Sequence, residues 1–284
     1  LNFRRPLGLV LSGGGAHGAW QAGALEALTR SGLNFDHVFG FSAGALNGAA
    51  YVFNKMDVLR EIFTHIERYR VMRVRPKLAP LTLCSNEAIW EVVSHGGREE
   101  EAKAAARCRF TVATYWPEKG KRVYAHYSPR GEEGWDAPWA DHVVASCSIP
   151  RIFPPVLIKS NGSEKLCIDG GVWGEENLSF DALSDCQDVI VLQMIRPDEM
   201  GYRPWGYWAR EEQKHREGLF EHTALGLSTL TDLPNAPRVF CLYPTRRLEY
   251  SMLSYKNKPC REALALGGSD GELFHHDPRP YLFT

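Results

Sequence analysis

The apolar positions fall into short runs and helical stripes that alternate along the chain. LGLVL (Leu7 to Leu11) is a continuous apolar run ending at turn residues, which predicts a buried strand. Ala19, Ala22, Leu25 and Leu28 then recur at helical spacing, with Gly32 as the stop. HVFGFSAGALNGAAYVF reads as a strand over Val38 to Phe41, a turn and a helix of small residues. Amphipathic helices are predicted over Asp57 to Met72, Asn86 to Ser94 and Glu99 to Ala106. Arg109 to Tyr115 and Arg122 to Tyr127 alternate like a hairpin around Pro117 to Lys121. After an acidic loop from Pro129 to Pro138, Asp141 to Cys147 reads as a short helix broken by Pro150. Leu157 to Ile168 predicts a second hairpin, turning at Asn161-Gly162. Strands follow at Val189 to Ile195 and Arg238 to Tyr243, with a long polar helix between them from Trp208 to Thr229. The end reads as a helix over Arg261 to Leu266 and a loose HHDPRPYLFT. Such alternation predicts an α/β fold with a central, mainly parallel sheet between helices. No repeat or linker divides residues 1–284, so one domain is expected.

Composition narrows the partners. The 284 residues carry 33 Lys and Arg against 34 Asp and Glu, a net charge of −1. A near-neutral chain offers no electrostatic argument for nucleic acid, nor for a strongly anionic membrane surface. Seven scattered cysteines with no C-x-x-C suit free thiols in a reducing, cytoplasmic setting and argue against a disulfide framework. The longest uncharged run, Val38 to Phe53, is shorter than the roughly 20 residues of a membrane span. Arg4 and Arg5 precede an apolar stretch too short for a signal peptide, although an upstream segment is not excluded by a chain beginning at Leu.

Three stretches carry chemistry. SGGGAHG, Ser12 to Gly18, puts bare backbone between a strand and a helix. It can serve as a phosphate cradle, an oxyanion hole or a tight turn, and fits neither G-x-G-x-x-G nor Walker A. GFSAG, Gly40 to Gly44, is a G-x-S-x-G in the strand-to-helix context of a nucleophile elbow. A serine there needs a base, and the late histidines His215, His222, His275 and His276 are the conventional candidates, with a solvated helix face as the plainer account of the first two. CIDGGVW, Cys167 to Trp173, sets an aspartate after an apolar strand, facing a cleft or simply forming a hairpin turn.

Taken in order, SGGGAHG, GFSAG and DGG resemble the patatin-like phospholipase family, and ASCSIPRIFPPV (Ala145 to Val156) resembles the segment preceding its catalytic aspartate. YPTRRLEYSML, followed by a helix ending in LGG, looks like a family ending. The resemblance implies a three-layer α/β/α fold and a serine hydrolase acting on lipid carboxylic esters without cofactor or metal. It implies Ser42 as nucleophile and Asp169 as general base, with no histidine. Gly13, Gly14 and Gly15 would supply oxyanion N–H donors, joined by Ala43 from the elbow geometry. Gly40, Gly44, Gly170 and Gly171 support the two motifs. Acyl transfer through the same acyl-enzyme and a silent lipid-binding protein are the alternative functions. His17 stands where the family usually has Lys or Arg, as a tunable cation or as a polar cap of the turn. Arg151 faces a headgroup or solvent. YRPWGYW, Tyr202 to Trp208, is expected to pack, with a membrane-surface contact, lid or dimer contact as its other readings. HHD at His275 to Asp277 is expected as solvated tail rather than a metal site.

Overall fold

The computed structural model describes residues 2–78, 80–160, 162–172 and 174–283. In chain order the elements are β1 (Leu7–Leu11), α1 (Gly18–Arg30), β2 (His37–Gly40), α2 (Ala43–Val52), α3 (Met56–Thr64), β3 (Val74–Leu78), β4 (Leu81–Cys84), α4 (Glu87–Ser94) and α5 (Glu99–Ala105). They continue with β5 (Arg109–Trp116), β6 (Lys121–Tyr127), α6 (Trp139–Ser146), β7 (Val156–Ser160), β8 (Ser163–Asp169), β9 (Asp188–Leu192), α7 (Tyr207–Thr231), β10 (Arg238–Leu242) and α8 (Asn257–His276).

Among the described residues, eight strands form one sheet, and β10, β9, β1, β2 and β5 run parallel in that order. Alternate residues of these strands feed two cores. Leu9, Leu11, Val38, Ile190 and Leu192 pack with α1, α2 and α8. Val10, Phe39, Val189 and Val191 pack with Leu219, Leu227 and Leu230 of α7. A strand apolar at every position is what a sheet covered on both sides requires. The three-layer α/β/α architecture expected from the pattern is therefore present.

The far edge of the sheet positions the site. β6 pairs antiparallel with the whole of β5, from Phe110 to Trp116, and occupies one edge. The other edge is shared. β2 uses it as far as Gly40 opposite Val112, and β8 takes it over with Asp169 opposite Thr114. Where β2 turns off the sheet after Gly40, the end of β8 moves into its place.

Several expectations are corrected. The helix predicted to Met72 ends at Thr64, and a short 3-10 turn, Ile66–Tyr69, follows. Arg70 there is left-handed, φ 48°, which stops any continuation. The ribbon β3–β4 beyond it was not anticipated. The β9 strand stops at Leu192 rather than Ile195. The last helix spans Asn257–His276 and runs through the LGG expected to end it. Its glycines form a seam: a Cβ on Gly267 would lie 1.9 Å from the Trp20 carbonyl oxygen, and α1 answers with Gly23 beneath Leu264. The tail is not loose either, because His275 and His276 belong to α8, Tyr281 packs on Phe274 and Leu282 bridges to Phe240. β7 and β8 pair as the expected hairpin, although Asn161 of its turn lies outside the described residues.

Candidate active site

The chain leaves β2 through Ser42, whose φ of 54° and ψ of −133° are a strained conformation for a residue with a side chain. The turn is sharp enough that a Cβ on Gly44 would fall 2.0 Å from the Leu11 carbonyl oxygen. The elbow is pinned from below. Ser42 N–H donates to Ser146 Oγ at 2.9 Å, and Ser146 donates in turn to the Ala113 carbonyl at 2.7 Å. α2 starts immediately afterwards, so its N-terminal partial positive charge lies beside the serine.

Ser42 Oγ donates to Asp169 Oδ2 at 2.6 Å, and both residues are buried. The aspartate is held on every side. Its N–H donates to Ser148 O at 3.0 Å, and Gly171 N–H donates to its Oδ1 at 2.7 Å. Burial is the largest influence on this carboxyl and raises its pKa from 3.8 to about 6, against the lowering effects of Ser42, Gly171 and Arg122.

The glycine turn runs against the serine: a Cβ on Gly13 would sit 2.9 Å from Ser42 Cβ. Gly15 has φ +56°, and a Cβ there would meet the Met252 carbonyl oxygen at 2.4 Å, so glycine is required. Gln21 Nε2 holds the start of the turn through the carbonyls of Ser12 and Leu192, and Asn47 of α2 donates to Gln21. Among the described residues, no backbone or side-chain acceptor within the fold takes the amides of Gly13, Gly14, Gly15 or Ala43. These four amides thus stand unclaimed by the fold. Gly40 and Gly44 flank the serine, a Cβ on Gly170 would meet the Ala113 carbonyl oxygen, one on Gly171 would lie against Asp169, and one on Gly14 would lie against Met194.

Two contributors were missed. Arg122 is buried, and its guanidinium donates to the carbonyls of Gly170 at 2.5 Å, Val172 at 2.7 Å and Glu176 at 3.1 Å, clamping the turn that carries Asp169. It comes from an ordinary alternating strand, where no local pattern distinguishes it. Ser146 lies inside the ASCSIP block, whose first serine could have been read as a support for the elbow.

His17 is not a cation. It is fully buried, and burial, reinforced by Arg216, lowers its pKa to about 3. The neutral ring donates from Nε2 to the Tyr250 carbonyl at 2.8 Å, tying the end of the turn to the C-terminal part. His222 does not lie on a solvated helix face, being 1 % exposed. The aromatic cluster does not pack: Trp205 is 94 % and Trp208 83 % exposed. Arg151 is exposed, with φ 67°.

Beside Ser42 opens an apolar cleft. Ser42, Leu46, Ile62, Val92 and Ile149 are among its walls. Leu46, Ile62 and Val92 also form a wall of a second apolar recess reaching Trp139. The arrangement can activate a hydroxyl, stabilise an oxyanion and receive a hydrocarbon chain. Among the described residues, no helix is long and apolar enough to cross a membrane.

The chain is similar to several known proteins. Lysophospholipase nte1 of Aspergillus terreus is 51 % identical over 47 residues, which is 16 % of this chain and 3 % of that protein. The uncharacterized protein YjjU of Escherichia coli K12 is 24 % identical over 94 % of this chain and 76 % of its own. The crystal structure of VipD from Legionella pneumophila aligns over 97 % of this chain and 67 % of its own, at 13 % identity and a TM-score of 0.48. The match to the fungal lysophospholipase thus spans only a small part of that protein's length. The patatin-like phospholipase profile matches residues 9–181, more than half of the chain and all of its glycine-turn, elbow and DGG motifs. The chain belongs to the patatin-like phospholipase family.

Proposed function

We propose that this protein is a serine lipid acyl hydrolase of phospholipase A or esterase type, working through Ser42 and Asp169. The observation that carries the reading is the 2.6 Å hydrogen bond between their side chains at the wall of an apolar cleft. Ser42 Oγ attacks the ester carbonyl while its proton passes to Asp169 Oδ2. The carbonyl oxygen becomes an oxyanion, received by the free amides of the Gly13 to Gly15 turn and Ala43. Collapse expels the alcohol, which takes the proton from Asp169 and leaves an acyl group on Ser42. Asp169 then accepts a proton from water as it attacks the acyl-enzyme, and returns that proton to Ser42 as the carboxylic acid departs. A carboxylate with a pKa near 6 is a stronger base than an ordinary aspartate and is still ionised at neutral pH. The cleft takes the acyl chain.

The test is hydrolysis of short and long p-nitrophenyl esters by the parent, Ser42→Ala and Asp169→Asn, with fluorophosphonate labelling of each. Both variants are expected to lose about a thousandfold in kcat, and the parent to label at Ser42. Near-intact activity in Asp169→Asn sinks the dyad. An inert, unlabelled parent favours the silent lipid-binding alternative.

A further inference from the structure

The net charge of −1 hides a strongly basic segment. Residues 68–86, RYRVMRVRPKLAPLTLCSN, contain Arg68, Arg70, Arg73, Arg75 and Lys77 and no carboxylate. The middle of this segment is the ribbon β3–β4, which stands apart from the main sheet. Its polarity is inverted. β4 buries Thr82 and Cys84 and turns Leu81 and Leu83 outward, 63 % and 52 % exposed. Leu78, opposite Leu81 in the ladder, is 92 % exposed, and Val74 is 73 % exposed. Water does not reward such an arrangement, and clustered exposed leucines mark a contact surface.

The charges say what the contact is. Arg73 and Arg75 share the single carboxylate of Glu87. Among the described residues, no carboxylate pairs with Lys77, nor with Arg151 beside the ribbon. Exposed leucines on a ribbon whose cations outnumber their carboxylate partners match a bilayer surface, whose anionic headgroups meet the cations while the leucines enter the acyl region. A second copy of the chain fits less well. The outer edge of β4 is already bonded, Leu83 N–H to Arg151 O at 3.1 Å and Cys84 N–H to Ile152 O at 2.8 Å. The outer edge of β3 carries Pro76, which lacks a donor, and charged neighbours, which discourage strand addition.

The ribbon is rooted at the cleft. Val71, just before β3, and Ala88, just after β4, both line it, as do Cys147 and Ile149 ahead of the Arg151–Ile152 segment that bonds β4. We propose that β3–β4 is a membrane-docking hairpin that sets the mouth of the acyl cleft against an anionic lipid surface. The choice of a bilayer as occupant rests on the lipid-hydrolase reading.

The experiment uses the full chain carrying Ser42→Ala, so that lipids stay intact, in sedimentation with phosphatidylcholine vesicles with and without phosphatidylglycerol. The paired variant Leu81→Ser with Leu83→Ser is expected to lose at least about tenfold in vesicle partitioning. Arg75→Gln with Lys77→Gln is expected to lose about tenfold or more on anionic vesicles, and little on neutral ones. The same pairs on a Ser42 background should still hydrolyse a soluble short ester, which shows that they fold. Partitioning unchanged by the leucine pair overturns the proposal, as does a loss produced instead by Trp205→Ser with Trp208→Ser. A dimer that the leucine pair abolishes while vesicle binding persists assigns the hairpin to self-association and overturns it too. A parent that hydrolyses no ester yet docks through the hairpin overturns the functional reading and leaves the docking surface standing.

Discussion

At the scale of single residues, the site works against the fold that holds it. Asp169 is buried beside Ser42, with its pKa raised from 3.8 to about 6. The folded chain therefore binds this proton more tightly than the unfolded chain does. Between about pH 4 and pH 6 the native state holds more protons, so the contribution to stability is present at low pH and is lost as pH rises through 6. At neutral pH the ionised carboxylate costs about 3 kcal/mol. Asn at this position keeps the shape and can still accept from Gly171 N–H. Asp169→Asn is thus expected to be inactive yet more stable by about that amount near pH 8, with the gain fading below about pH 4. Thermal unfolding of both proteins across this range measures it. A stability difference independent of pH would show that the carboxyl is not perturbed by burial. The parent's kcat/KM should rise through pH 6 to a plateau, with no second ionisation from His17, which stays neutral down to about pH 3.

At the scale of elements, α2, α3 and α4 each supply a wall of the apolar cleft beside Ser42. Leu46 on α2, Ile62 on α3 and Val92 on α4 line both the cleft beside Ser42 and the recess beyond it. In the proposed reaction these three side chains set how far an acyl chain extends. Leu46→Trp closes the way, and each methylene kept out of the apolar recess forfeits about 0.8 kcal/mol. The ratio of kcat/KM for long over short p-nitrophenyl esters is expected to fall about tenfold for every two methylenes excluded. A chain-length profile unchanged by the bulk would mean that acyl chains leave the site elsewhere. Little of this cleft was legible in the chain, because the helices that line it were placed without their contacts. The elbow, the glycine turn and the DGG turn were legible, since each needs residues of one kind at adjacent positions. Arg122 reaches the Asp169 turn across 48 residues, and nothing near it in sequence marks that destination. The exposed aromatics of Tyr202 to Trp208 and the leucines of β4 are illegible for one reason: an apolar residue in sequence does not say whether it faces inward or outward. The extent of the last helix is illegible because glycine reads as a stop, whereas Gly267 and Gly271 are its contact with α1.

At the scale of the whole molecule, the two cores seal groups that acid must reopen. His17 follows the glycine turn, with its Nε2 on the Tyr250 carbonyl, and His37 opens β2 with its Nε2 against Thr111 Oγ1 at 2.8 Å. Burial lowers the first to about 3 and the second, with help from Arg109, to about 4. Below about pH 6.5 the unfolded chain takes protons that these two rings refuse, so stability is present above that value and falls as pH drops. By about pH 4 each ring has withdrawn roughly 3 kcal/mol, while Asp169 has returned about 3 kcal/mol. The surface ion pairs contribute little in either direction. Burial lowers His222 to about 4 as well, with help from Arg122, so the buried rings together withdraw more over this interval than Asp169 returns. Urea unfolding at about pH 7, 5.5 and 4 should show a net loss of stability, and His37→Gln should make the slope shallower. Stability that rises on acidification through this range would mean that the buried rings take up protons in place, and that the layers around β1 and β2 admit water where the fold has them closed.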